Sequence, residues 1–510
     1  MSNQLANNKR IAKNTLMLYI RMLFTMGVSL FTSRVILQTL GVEDYGVYSV
    51  VGGIVSMFTF LNGGMVSATQ RYLTFEIGRG NNQRLSKVFS TSLQIHALIA
   101  LLVVLLSETI GLWFLYDQMV IPDDRLTAAF WVFQSSVIGC VVSIMSVPYN
   151  ADIVAHEKMS AFAYISIVEI SLKLLIVYLL YVSPFDKLIV YAALLLSVQI
   201  LIRWIYARYC NKHFSESHYQ HSIDKLLFKE MFSFAGWSFW GNLASVLYTQ
   251  GLNMMLNVFF GPIVNAARGI AVQVQSAVTQ FVSNFQVALN PQITKTYASG
   301  ELDKMHSLMF RSARFSFMLL FCLSLPIIIE TNYILTLWLG VVPENTVIFT
   351  RIIIAISLIY TIANPCVIAN QATGKVKVYQ AVVGGLLLLI LPISYIVLKM
   401  GAPAYSVFIV HFCVESVAQF ARMYMLRNMI DLALLSYVKN IYLPIMGVVL
   451  LSLVLPMLVY NNMQEGIIRL LAVGITCVVS VAITSLFIGM TRNERTFLID
   501  KSLRVLKIRK

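Results

Sequence analysis

Residues 86–116 read SKVFSTSLQIHALIALLVVLLSETIGLWFLY, a run whose only charges are Lys87 near its start and Glu108. About 20 predominantly apolar residues in a helix cross a bilayer, and the centre of this run has no side suited to water, so it predicts a membrane span. The pattern repeats outward in both directions, as apolar stretches separated by charged or turn-rich breaks. They lie at 14–40, 45–75, 86–116, 125–155, 159–182, 186–209, 231–259, 263–296, 308–338, 346–372, 376–399, 403–428, 436–460 and 466–490. Fourteen spans are therefore expected, the ninth interrupted at Pro326 and Glu330. The connectors are short, which leaves no room for a water-soluble domain.

Composition agrees. The chain has 510 residues, 58% hydrophobic and 12% charged, where a soluble domain carries about 25% charged residues. Half that charge cannot cover a water-facing surface, which argues against a soluble enzyme, a disordered scaffold or a secreted disulfide module. The six cysteines are scattered and form no C-x-x-C pair, so neither a disulfide framework nor a zinc site is expected. The N-terminal MSNQLANNKRIAKN runs into apolar sequence without a small-residue cleavage site and reads as the lead into a retained first span.

The net charge of +15 would suggest nucleic acid in a soluble protein. Sorted by connector it becomes a topology instead. With the N-terminus cytoplasmic, 26 of the 38 Lys and Arg residues fall on inner connectors and tails, and only Arg125, Lys187, Arg351, Lys399 and Arg469 fall outside. The outer connectors hold acids such as Asp44, Asp123, Asp186 and Glu344. The positive-inside rule then predicts an even number of spans with both termini cytoplasmic. No nucleic-acid partner is expected.

Two halves of the chain match. At an offset of 220, Arg79-Gly80 followed by Arg84 aligns with Ser299-Gly300 followed by Lys304, and Leu40-Gly41 aligns with Phe260-Gly261. At an offset of 217, PYNADIVAHEK (148–158) aligns with PCVIANQATGK (365–375). This order predicts a six-span duplication, with copies related by a pseudo-two-fold axis along the membrane normal. The expected fold is an all-α polytopic membrane protein with an N-terminal six-helix lobe over 1–215 and a C-terminal six-helix lobe over 216–430. Residues 431–510 add two helices and a basic tail, RTFLIDKSLRVLKIRK, suited to the anionic inner leaflet.

Three further stretches carry a family resemblance: Arg34 followed by LQTLGVEDYGVYS (37–49), QRYLTFEIGRGN (70–81), and their second-half counterpart ALNPQITKTYASGELDK (288–304). With them the layout resembles the Wzx-type polysaccharide flippases of the multidrug/oligosaccharidyl-lipid/polysaccharide exporter superfamily, over nearly the whole chain. That resemblance implies a transporter that moves undecaprenyl-pyrophosphate-linked oligosaccharide (an O-antigen, capsule or exopolysaccharide repeat unit) across the bacterial inner membrane by alternating access. It also implies partners among membrane lipids and other polysaccharide assembly proteins. A lipid II-type flippase and a cation-coupled multidrug exporter of the same superfamily are the alternatives. More distant is a membrane-embedded glycan polymerase or glycosyltransferase, for which the outer connectors are too short.

Ionisable groups at membrane depth are costly, so each needs a role. Arg21, Arg71, Arg203 and Arg422 lie near inner ends and can snorkel. Arg34 and Arg268 lie near outer ends; both are expected either to bind pyrophosphate or to anchor at headgroups, since guanidinium binds phosphate oxygens bidentately. Glu169 and Lys173, four apart, form either a self-neutralised pair or a cation beside the lipid headgroup. Glu415, one turn from His411 and with no cation at its depth in the span, is an ion-coupling candidate alongside Glu169. Asn253, Asn257, Gln275, Gln286 and Asn290 are expected to face sugar hydroxyls, with interhelical hydrogen bonding as the alternative. Pro148 and Pro365 mark equivalent hinge candidates. There is no P-loop, G-x-S-x-G or H-E-x-x-H, and the seven histidines show no ligand spacing, so no enzyme activity, cofactor or metal is expected.

Overall fold

A computed structural model of the chain describes residues 14–28, 60–118, 123–220, 224–260, 262–339 and 342–496, with isolated positions between 32 and 55 and residue 121. Among them there is no strand. The first helix, α1, is described over 14–28. It is followed by α2 (Phe60–Arg79), α3 (Asn82–Leu106), α4 (Leu126–Ala155), α5 (Met159–Val182) and α6 (Lys187–His213). Then come α7 (Lys225–Phe260), α8 (Pro262–Ala298), α9 (Leu302–Ile329), the short α10 (Thr331–Leu339) and α11 (Thr346–Thr373). The chain continues through α12 (Val376–Leu388), α13 (Ile390–Lys399), α14 (Ser406–Ile430), α15 (Leu434–Tyr437), α16 (Leu443–Asn462) and α17 (Ile467–Thr484).

Each of the fourteen apolar stretches carries helix, with α12 and α13 sharing one stretch and α15 and α16 another. Nine helical runs among the described residues are long and apolar enough to cross a membrane. The other long helices, α2, α7, α8 and α14, are more polar, and α1 is described over fewer residues than a span needs. The ninth stretch continues through Pro326 and breaks at Glu330, where α10 begins. The outward apolar faces suit lipid: Leu98, Leu101 and Leu105 on α3, Leu451, Leu455 and Leu458 on α16, and Ile468, Leu471 and Ile475 on α17 are all exposed. This is a multi-pass membrane protein.

The chain forms two compact units, Met1–Leu243 and Ala244–Lys510. In the first, α4 is central and packs on α2, α3, α5 and α6. In the second, α11 is central and packs on α8, α9, α12 and α14. These are the two helices that the 217-residue offset aligns, through Pro148 and Pro365.

Backbone torsions repeat at the aligned junctions. Gly80 and Gly300, paired at offset 220, are both left-handed, with φ of 70° and 77°. Glu157 and Gly374, paired at offset 217, are left-handed too, at 58° and 75°. The first three of these junctions close with the same two bonds: Gly80 N–H to Ile77 O and Asn81 N–H to Glu76 O, Gly300 to Tyr297 and Glu301 to Thr296, Glu157 to Val154 and Lys158 to Ile153. This is the Schellman arrangement, which satisfies the last carbonyls of a helix and asks for glycine at the left-handed residue. Glu157 takes that conformation without glycine's freedom, at a cost of about 1 kcal/mol. The following residue also repeats: Lys158 sits at φ −84°, ψ 53° and Lys375 at φ −87°, ψ 61°.

Candidate functional site

The second unit holds a polar cluster on α7, α8 and α14. Arg268 on α8 is half-buried, and its Nη1 donates to Asn253 Oδ1 at 3.1 Å while Nη2 donates to the Thr249 carbonyl at 3.0 Å. Both acceptors are neutral, and Nε is buried with no hydrogen-bond partner. No carboxylate bonds to Arg268 among the described residues, so its positive charge is oriented but not neutralised. One helical turn before Asn253, Tyr248 meets the His411 ring edge-on, with centroids 5.1 Å apart. Arg34, the proposed equivalent in the first half, lies outside the described residues.

Glu415 departs from expectation. Arg422 Nη1 sits 2.7 Å from Glu415 Oε1, and both residues are buried, 3% and 2% exposed. Arg422 therefore does not snorkel, and the carboxylate expected to stand alone has a cation from its own helix. The two are seven residues apart, on one face, and long helical side chains lean toward the helix N-terminus. An arginine two turns on can thus reach back to its partner. Arg21, Arg71 and Arg203 instead lie over aromatic faces: Arg21 is 4.7 Å from the Phe162 centroid, Arg71 is 4.4 Å from Tyr72 and 4.5 Å from Phe75, and Arg203 is 5.9 Å from Tyr149. In the first unit Lys173 Nζ meets Glu169 Oε1 at 2.6 Å, with both side chains about one-third exposed.

The amides divide. Gln286 is buried and its Nε2 donates to the Thr361 carbonyl at 3.2 Å and to Ser316 Oγ at 3.1 Å. Thr361 precedes Pro365 by four, so its carbonyl is the one the proline leaves without an N–H donor. Gln286 replaces that donor, and Tyr437 O–H bonds the next carbonyl, Ile362, at 3.2 Å. The expectation that Gln286 faces sugar is thereby corrected: its amide is used between helices. Gln275 likewise donates to Ser357 Oγ at 2.9 Å. Asn290 has a buried Oδ1 without a partner, and Asn257 lies on α7 with its side chain outside the described ones. The open flank of α8 is a different one: Gly269, Gln273, Ser276, Gln280 and Ser283 are exposed at helical spacing. Gln273 and Gln280 escaped the sequence reading because periodicity gives a face without saying which neighbour covers it. Polar side chains left uncovered at membrane depth need water or a polar ligand.

Ion pairs fix the helix ends. Near one end of the first unit, Arg125 binds both Asp44 and Asp186. Asp186 also caps α6 by accepting from the Leu188 and Ile189 N–H groups. Partial burial works against its ionisation, but those amides and Arg125 outweigh it and hold the carboxyl below its ordinary range. In the second unit, Arg469 forms a buried bidentate pair with Glu330 at 2.7 and 2.8 Å, and Arg314 and Arg311 bind Glu494. Arg469 and Arg314, placed on connectors by the sequence, are thus buried at 8% and 5% exposure.

The second unit thus combines long apolar helices, an arginine that no carboxylate bonds among the described residues, and an exposed polar flank on α8. The profile of the family described as "Polysaccharide biosynthesis protein" matches residues 11–297, more than half of the chain, and the chain belongs to that family. It is similar to the "Uncharacterized membrane protein EpsK" of Bacillus subtilis (strain 168), with 23% identity over 336 residues, 62% of this chain and 63% of that protein. The match thus spans less than two thirds of the relative's length. Among solved structures, "Crystal structure of MATE in the bent conformation" has a TM-score of 0.72 at 13% identity, covering 83% of this chain and 96% of the other. A second, "Reverse polarity of binding pocket suggests different function of a MOP superfamily transporter from Pyrococcus furiosus Vc1 (DSM3638)", has a TM-score of 0.63 at 14% identity, covering 82% and 96%. These likenesses show the fold, which is that of the solved MATE structures.

Proposed function

We propose that the protein flips an undecaprenyl-pyrophosphate-linked oligosaccharide, a repeat unit of O-antigen, capsule or exopolysaccharide, from the cytoplasmic to the periplasmic leaflet of a bacterial inner membrane, with both termini cytoplasmic. Alternating access moves the headgroup while the polyprenyl tail stays in lipid. The observation that carries this reading is Arg268: its guanidinium is held by the neutral Asn253 and Thr249 and keeps its charge available for phosphate oxygens. Arg34 is assigned the same role in the first half. Lys173 is a weaker candidate because Glu169 already neutralises it at 2.6 Å. Sugar hydroxyls meet the open amides of α8, Gln273 and Gln280, and Asn253. Pro148 and Pro365 serve as hinges, within a division at 1–215, 216–430 and 431–510.

The test is lipid analysis after loss of function. Complete lipid-linked repeat units should accumulate on the cytoplasmic side, and incomplete units would refute flipping in favour of glycan synthesis. Arg268→Ala should abolish export at unchanged protein abundance. Normal export in the Arg34→Ala/Arg268→Ala double variant removes both from the headgroup site.

A further inference from the structure

The segment between the two halves meets the end of α4 through a compact polar cluster. Asp152 and His156 lie one turn apart at the end of α4, and Glu216 comes from the short turn Ser215–Ser217 that follows α6. His156 Nε2 is 2.5 Å from Glu216 Oε1 and 3.7 Å from Asp152 Oδ1, and one ligand atom from each residue lies within 4.8 Å of the other two. Asp152 is fully buried. Its Oδ2 accepts from Ser217 Oγ at 2.7 Å, while Oδ1, turned toward His156, has no hydrogen-bond partner. The imidazole is stacked on Phe214, with centroids 4.2 Å apart and planes 7° apart, so its ring is held in place.

We propose that Asp152, His156 and Glu216 form a site for a divalent transition-metal cation of the zinc class. Two carboxylates and one imidazole are a donor set for such ions, and three protein ligands leave a fourth position for water. The charge argument points the same way. With both carboxylates ionised and the imidazole neutral, a dication would bring the cluster to neutrality. Metal would take the place of the hydrogen bond between His156 and Glu216 and would engage the free Asp152 Oδ1. Bond lengths of about 2.0–2.2 Å require the His156–Glu216 contact to open and the Asp152 oxygen to close in. Ser217 supplies the outer bond that orients the Asp152 carboxylate, as second partners of metal ligands do. An entry route exists: His156 and Glu216 line an open cavity of about 320 Å³ together with Asn82, Lys158, His213 and Ser215. Once filled, the site clamps the linker that leads into α7 onto α4, four residues beyond Pro148.

The experiment uses the full chain in detergent, stripped with chelator and titrated calorimetrically with ZnCl2, with Co2+ absorption as a second probe. The native chain should bind one equivalent. His156→Gln and Glu216→Gln should each weaken binding at least ten-fold. Ser217→Ala should weaken it about ten-fold through the lost orienting bond. Zinc binding that is absent, or equal in the native chain and both Gln variants, overturns the proposal, the latter case being an adventitious ion only. Should a variant fail to fold, the Co2+ spectrum of the native chain decides: intense low-coordinate bands support the site, and weak bands of an aquo-like ion refute it.

Discussion

Replacing Glu415 by leucine leaves Arg422 buried without a counter-charge. At 2.7 Å the attraction within the pair is about 6 kcal/mol for an effective dielectric near 20. Withdrawing each ion from water costs several kcal/mol, so the intact pair adds little net stability. Breaking it is another matter: the single Glu415→Leu change should cost about 3–5 kcal/mol. Arg422→Met should cost less, because the remaining carboxyl can neutralise itself by taking up a proton. The double variant Glu415→Leu/Arg422→Met, apolar at both positions, should return to native stability or above. Denaturant unfolding of the detergent-solubilised protein, read as a double-mutant cycle, measures the coupling. A double variant as unstable as the two single losses added together refutes the pairing argument. The same protein tests function, since export by a stable double variant eliminates Glu415 as the coupling carboxylate and leaves Glu169.

Other consequences are equally open to measurement. Gln286→Leu, which orphans the Thr361 carbonyl beside Pro365, should lower stability by about 1–3 kcal/mol and should leave substrate affinity at the native value; a change in affinity with unchanged stability would return Gln286 to the sugar site. Gln273→Ala and Gln280→Ala should do the reverse, reducing export without moving the unfolding midpoint. At Gly64 an added Cβ would stand 2.5 Å from the Ala235 carbonyl oxygen and 2.9 Å from the Phe239 nitrogen, both backbone atoms. Gly64→Ala should therefore destabilise the packing of α2 on α7, detectable as a lower melting midpoint. The depressed Asp186 carboxyl stabilises the fold above the ordinary aspartate pKa near about 3.9, and that contribution is lost as pH falls through its lower folded value. Asp186→Asn should flatten this acid limb in a pH-dependent melting series.

The spans were legible because each is a long apolar run ended by charge, a signal that needs no knowledge of neighbours. The residues that align at offsets of 220 and 217 also share left-handed torsions, at Gly80 and Gly300 and at Glu157 and Gly374. Facing was much less legible. Gln275 and Gln286, expected to face sugar, bond to α11 and α9, and the open flank of α8 carries Gln273 and Gln280. Glu415 looked unpaired because its cation stands two turns away, beyond the usual i,i+4 window. The Asp152–His156 spacing was visible in PYNADIVAHEK, yet the third member, Glu216, comes from sixty residues further on, where only folding could bring it. Arg268 was recognised from rarity alone, and its neutral partners Asn253 and Thr249 are what distinguish it from an anchored arginine.

The bond from Gln286 to the Thr361 carbonyl has a mechanical meaning. In an ordinary helix, bending stretches peptide-to-peptide bonds and puts the turn at risk of unravelling. At Pro365 that link is absent and a side chain from α8 stands in for it, so flexing α11 there would need only a rotamer change in a neighbouring glutamine. The bond that stands in for the missing one comes from a neighbouring helix, so the stiffness of α11 at Pro365 should respond to substitutions in α8 that leave the sequence of α11 untouched.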